Sequence, residues 1–171
     1  ASILCNGESG ASIDVDIDTS LGVAPFTINV VNTTTGTDYG TQTTGLPAGD
    51  YEITVTDANS CSDTALIRIG EPDPIVYTTS DTPITCDTSS GTNPGTITVS
   101  GVSGGTAPYT YYLTGNNGFS ETYVAATAGD DHTFTVLEFG VYYIDVIDAN
   151  GCSAITTDRG RVRSISFSRI S

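Results

Sequence analysis

Few side chains in this sequence are grouped as chemistry requires. Asp14, Asp16 and Asp18 form a D-x-D-x-D string, the way a calcium loop opens. An EF-hand would place Gly sixth and Glu twelfth, but Thr19 and Pro25 stand there. On an extended chain the three carboxylates share one face about 7 Å apart, too far to hold one ion unaided. They read as a solvated acidic face, with calcium shared with a neighbouring loop as the alternative. Asp57, Asn59 and Asp63, and Asp148 with Asn150, form a second, weak calcium candidate, although Asp and Asn are also ordinary turn residues. His132 is the only His and is flanked by Asp130 and Asp131. With no Ser or Cys partner in a recognisable motif, it reads as a solvated loop residue. Four Cys with one His lack the close spacing of a zinc site. Tyr111, Tyr112 and Tyr123 would stack on sugars where exposed, though alternation sends about half of them inward. No phosphate loop, nucleophile elbow or paired-acid motif stands out. The expectation is no enzyme and no cofactor, calcium apart.

What positions these residues is a repeat. Residues 46–61 read LPAGDYEITVTDANSC and residues 137–152 read LEFGVYYIDVIDANGC. Leu, Gly, Tyr, Ile, Val, Asp-Ala-Asn and Cys recur at an offset of 91. Ala24-Pro25-Phe26-Thr27 matches Ala107-Pro108-Tyr109-Thr110 at 83, and Cys5 matches Cys86 at 81. The chain is two copies of one unit. Each copy alternates apolar and polar residues with period two: Ile13/Val15/Ile17, Phe26/Ile28/Val30 and Tyr51/Ile53/Val55 in the first, Ile97/Val99, Tyr109/Tyr111/Leu113 and Tyr142/Ile144/Val146 in the second. Strands with one wet face follow, and the short turn spacing predicts a sandwich. The segment 46–51 reads as a tyrosine corner, whose hydroxyl bonds nearby backbone at the sheet-to-sheet crossing of an immunoglobulin-like fold. Asp-Ala-Asn-Ser/Gly reads as a tight hairpin before the last strand. The predicted fold is all-β, two tandem immunoglobulin-like sandwiches: residues 1–70, read as lacking a leading strand, residues 71–160, and a C-terminal strand at 161–171.

Charge narrows the partners. The 171 residues carry 20 acids and 5 bases, a net charge of −15. Such a balance repels phosphates and argues against nucleic acid and anionic membranes. Apolar runs are too short to span a bilayer. With Ala at position 1 and no charged-then-apolar leader, the sequence reads as a processed protein or an excised fragment.

The Cys-Asn-Gly opening at 5–7, the Ala-Pro-Phe/Tyr-Thr core, the Leu-x-x-Gly-x-Tyr corner, the Val-x-Asp-Ala-Asn-Gly-Cys hairpin and the Glu71-Pro72 linker resemble SprB-type repeats. These stand in tandem in giant surface adhesins of gliding and related bacteria. The second copy departs at Cys86-Asp87-Thr88 and in its longer middle. The resemblance implies extracellular display on a bacterial cell surface, with roles in adhesion or motility. Asp63-Thr64-Ala65 resembles the O-glycosylation signal of such bacteria, making Thr64 a candidate acceptor. The matched cysteines suggest Cys5–Cys61 and Cys86–Cys152, on the view that first and last strands run parallel with their starting ends together. Each bridge would close a loop of roughly 55–65 residues and contribute about 4 kcal/mol, in an oxidising compartment.

The two ends invite comparison. The second copy owns a strand ahead of its first Cys, at 75–78, and the first copy has only four residues there. Residues 161–171 fall where 70–80 fall after the first copy, so they read as a spare strand. Residues 1–158 hold one Arg against all 20 acids, net −19, and the last 13 residues hold four Arg, net +4. Two readings stay open: the chain is cut from a longer array, or 161–171 insert into the first copy of another molecule. In the second, Arg161, Arg163 and Arg169 would meet its acidic body, and Ile165 and Phe167 would enter its core. The partners expected are copies of the chain or adjacent repeats. The function expected is a structural repeat of a filament or adhesin stalk, with a ligand-binding adhesin module for carbohydrate or a surface partner as the alternative.

Overall fold

The computed structural model describes residues 3–87, 91–127, 129–154 and 161–162. Every element among them is a strand or a turn, as the period-two patterns require. The chain divides into two compact units, Ala1–Pro72 and Asp73–Ser171.

The first unit holds β1 (Ser9–Ser12), β2 (Thr27–Asn32), β3 (Thr37–Gly40), β4 (Thr44–Pro47), β5 (Gly49–Thr56) and β6 (Ser62–Ile69). They form a two-stranded sheet β1-β4 and a four-stranded sheet β3-β2-β5-β6, all antiparallel. Ala11, Ile13, Val30, Leu46, Tyr51 and Ile53 close the core between them.

The second unit holds β7 (Val76–Thr82), β8 (Thr85–Asp87), β9 (Gly91–Asn93), β10 (Gly95–Ser103), β11 (Tyr109–Gly115), β12 (Ser120–Ala125), β13 (His132–Val136), β14 (Tyr142–Ile147) and β15 (Arg161–Val162). Its sheets are β13-β10-β7 and β12-β11-β14-β15, with a small β8-β9 hairpin beside them. The inward residues Ile97, Val99, Tyr111, Leu113, Phe134, Tyr142 and Val146 are wholly buried. Both units thus build the same four-stranded sheet facing a smaller one, the immunoglobulin-like plan. Both Ala-Pro bonds, Ala24-Pro25 and Ala107-Pro108, are cis.

The tyrosine corners are present. The Tyr51 hydroxyl donates to Pro47 O at 2.8 Å, and the Tyr142 hydroxyl donates to Glu138 O at 2.5 Å. Both side chains are fully buried.

Two strands depart from expectation. Residues 13–18 keep the alternation, with Ile13 buried, Val15 and Ile17 half-buried and Asp14, Asp16 and Asp18 exposed. Yet β1 stops at Ser12, and beyond it the partner strand β4 is exhausted after Ile13 N donates to Thr43 O. A strand needs a hydrogen-bonded neighbour, and no described strand flanks this stretch. In the second unit β7 supplies that neighbour to β10, antiparallel from Val76↔Ser103 to Thr82↔Thr96. The other departure is the tail. Arg161 pairs with Tyr143 and Val162 with Tyr142, just as Leu66 pairs with Glu52 and Ile67 with Tyr51. Arg161–Val162 therefore takes the sheet position that Leu66–Ile67 takes in the first unit. The first two residues of the expected C-terminal strand at 161–171 thus pair within this unit's own sheet. The remaining assembly residues, Arg163, Ile165, Phe167 and Arg169, lie outside the described residues.

Candidate functional site

The repeated Asp-Ala-Asn triplets are locks on their hairpins. Asp57 Oδ1 accepts from Asn59 N and Cys61 N, both at 2.9 Å, and its Oδ2 accepts from Val23 N at 3.1 Å. Asp148 repeats this with Asn150 N at 2.8 Å, Cys152 N at 2.9 Å and Thr106 N at 2.9 Å. Each carboxylate thus pins a hairpin and also the loop that precedes β2 or β11. The N–H groups of Val23, then Cys61 and Asn59, hold the Asp57 carboxyl below its ordinary pKa. For calcium, the lone pairs of Asp57 and Asp148 are already engaged by backbone donors, Asp63 Oδ1 accepts from Thr64 N, and the Asn150 side chain donates to the Thr106 hydroxyl. No group of three metal-ligating side chains gathers among the described residues. The Asp14/Asp16/Asp18 string likewise stays spread, with Asp18 bonded to Ser20 N and Oγ.

The Cys5–Cys61 expectation is corrected. Cys61 is a free, exposed thiol, while Cys5 and Cys152 are both disulfide-bonded. The reason lies in strand direction. Asn6 Nδ2 donates to Pro72 O at 3.0 Å and Gly7 N to Glu71 Oε2 at 2.6 Å, so the Cys5-Asn6-Gly7 opening sits where β6 finishes. Cys61 sits where β6 starts, eight residues or about 26 Å away. In the second unit the Cys86 side chain lies outside the described residues. The Cys86–Cys152 expectation is corrected as well: with Cys61 free, a Cys86–Cys152 bridge would leave the disulfide-bonded Cys5 no cysteine to bond. The Cys86 backbone follows the far end of β7 from Ile75, whereas Ile75 and Asp148, whose carboxylate accepts from Cys152 N, both come within 3 Å of a Cβ built on Gly105.

His132 is not a loop residue. It opens β13 half-buried, stacked on Tyr123 with ring centroids 3.7 Å apart and planes within 8°, and edge-on to Phe134. Tyr111 is buried, its hydroxyl donating to Asp130 O at 2.7 Å. Among the three tyrosines singled out for sugar stacking, Tyr112 alone is well exposed; Tyr143 joins it on the outer face of the same sheet. Thr64 is exposed on β6.

The least finished surface of the first unit is the seam between residues 13–18 and β6. β6 is an edge strand, and every residue from Ser62 to Arg68 is exposed. Its inward positions Ala65 and Ile67 stand opposite Ile53 and Tyr51, yet they are uncovered. Val55 is only half-buried, whereas Val146, its counterpart in the repeat, is fully buried. The seam holds an open groove of ≈ 430 Å³ floored by Val15, Ile17, Phe26, Val55 and Ala65. Asp16, Asp18, Asp57 and Asp63 rim it, and Cys61 lies at its hairpin end. A second hollow of ≈ 500 Å³ follows β6 onward, between Ile67, Ile69 and the Ile3/Ser12 side. The sequence pointed to a first copy without a leading strand but not to this groove, because the groove depends on how β6 stands against residues 13–18.

No protein-family model matches the chain, and no curated protein matches it. Among solved structures the chain is similar to one described as "Biofilm associated protein - BSP domain", with 18% identity and a TM-score of 0.34, over 98% of this chain and 29% of that one. The chain thus spans under a third of that structure's length.

Proposed function

We propose that this chain is a structural repeat pair of an extracellular bacterial surface fibre or adhesin stalk, of the kind the SprB-like motifs suggest, and that copies join end to end through terminal strands. The observation that carries this reading is the repeat itself. Two sandwiches keep the same corner and the same Asp-locked hairpin, while one presents an eight-residue strand edge exposed almost throughout. Bare strand edges recruit strands. The disulfide-bonded Cys5 and Cys152 suit an oxidising compartment, and a net charge of −15 suits a chain that avoids anionic surfaces. Catalysis is not part of this reading. Thr64, exposed on β6, is accessible to a glycosyltransferase.

Immunogold labelling of intact cells that carry the chain tests the location. Dense surface label is expected, and label found only after the envelope is opened would contradict it. A second reading, a ligand-binding adhesin module, is favoured by the exposed Tyr112 and Tyr143 on one sheet face. A glycan array separates the two: saturable binding abolished by Tyr112→Ala supports the binding module, and no binding supports the stalk.

A further inference from the structure

We infer that the groove between residues 13–18 and β6 is an acceptor for one β-strand, and that its occupant is the 163–169 segment of a second copy of this chain. The inference rests on the head-to-tail reading above and gives it a site and a direction.

The protein contains its own precedent. In the second unit β7 lies along β10, buries Ile75, half-buries Tyr77 and donates the Tyr77 hydroxyl to Ile144 O at 3.1 Å across the seam. A strand in the same place of the first unit would pair with residues 13–18. It would run antiparallel to them, entering by the Asp57–Cys61 hairpin and leaving toward Ile3. It needs two apolar side chains at i and i+2 to cover Val15, Ile17 and Val55, and it must tolerate a rim of four carboxylates.

Residues 163–169, Arg-Ser-Ile-Ser-Phe-Ser-Arg, meet both demands. Ile165 and Phe167 match the spacing of Ile75 and Tyr77. In that strand the intervening serines would face water, and Arg163 and Arg169 flank the apolar pair in sequence. Charge selects this segment over the rest of the chain: four of the five Arg fall in residues 159–169 and all 20 acids lie before them. The pairing of Arg161–Val162 with β14 would tether a donor segment that follows them to its own unit. Arg161 and Val162 stay with their own unit, so the donor residues come after them. Donor and acceptor are different surfaces, so the contact is heterologous and open-ended.

The free thiol of Cys61, at the groove's hairpin end, reports occupancy. A peptide of residues 163–171 is added to the complete chain, and modification of Cys61 by a bulky maleimide is followed by peptide mapping. Saturable binding that slows Cys61 modification at least tenfold is expected, weakening as salt rises. The peptide carrying Ile165→Asp and Phe167→Asp should bind at least tenfold more weakly. So should the wild-type peptide to a chain with Ala65→Arg, a change at an exposed position that leaves the circular dichroism and unfolding midpoint in place. Chains bearing the donor changes and chains bearing Ala65→Arg should form one-to-one pairs when mixed, and nothing longer. If the peptide protects Cys61 while chains stay monomeric, the acceptor groove stands and the fibre reading falls. If chains assemble while Cys61 stays reactive and Ala65→Arg assembles equally well, the groove assignment is wrong and the fibre reading survives. Protection of Cys61 by residues preceding Ala1 in a longer chain would also overturn the assigned occupant.

Discussion

Tyr51 and Tyr142 each spend their hydroxyl on one backbone carbonyl while the ring fills the core. Replacing either with Phe keeps the ring and strands that carbonyl, at a cost of about 1–2 kcal/mol. Tyr51→Phe should destabilise the first unit and Tyr142→Phe the second. Denaturant curves followed by Tyr fluorescence, usable because the chain has no Trp, should show the two shifts separately. The ionisable groups set both ends of the pH range. Asp57 sits below its ordinary pKa because Val23, Cys61 and Asn59 donate N–H groups to it. Its contribution is therefore present above the unfolded carboxylate value near 4 and is lost as pH falls. Tyr111 titrates at about 12, raised by burial first and then by the nearby Asp130 charge. In the unfolded chain its phenol ionises near 10, so the unfolded state sheds its proton first. Stability should then fall as pH climbs from about 10 to 12. Urea midpoints across both ranges check the signs, and Tyr111→Phe should flatten the alkaline limb for the second unit.

Among the elements, β7 and the loop after β10 depend on each other. Gly104 has φ +79°, and a Cβ there would stand 2.0 Å from Pro74 O; Gly105 N donates to Asp73 O at 2.8 Å. Gly104→Val would have to push the entry of β7 off the sheet. It should destabilise the second unit by roughly 2–4 kcal/mol and speed amide exchange in Tyr77–Thr82 ahead of the other strands. The elements that could be read from sequence were those with a local signal. The corner announces itself within 46–51 and the hairpin within four residues, since each is held by bonds spanning four residues or fewer. What failed was long-range. The pairing of Arg161–Val162 with β14 was not legible because Arg161 lies nine residues past Cys152, whereas its structural counterpart Leu66 lies five past Cys61. The extra residues shift the frame, and the tail shares too little with 62–69 to reveal it. The Cys5–Cys61 pairing failed for a similar reason. Two bonds, from Asn6 and Gly7 to Pro72 and Glu71, fix which end of β6 the opening meets, and spacing alone cannot say that.

For the molecule as a whole, one unit closes its seam with its own β7 while the other leaves an acidic, apolar-floored groove, and the bases collect at the far end of the sequence. Such an object should add to itself without limit, at a rate and strength that fall as salt screens the attraction. Sedimentation velocity of the complete chain over a hundredfold concentration range tests this most directly. The account predicts a weight-average sedimentation coefficient that keeps rising with concentration, through dimers and longer species, and falls back at high salt. A single concentration-independent monomer, or a dimer that saturates and grows no further, would contradict it.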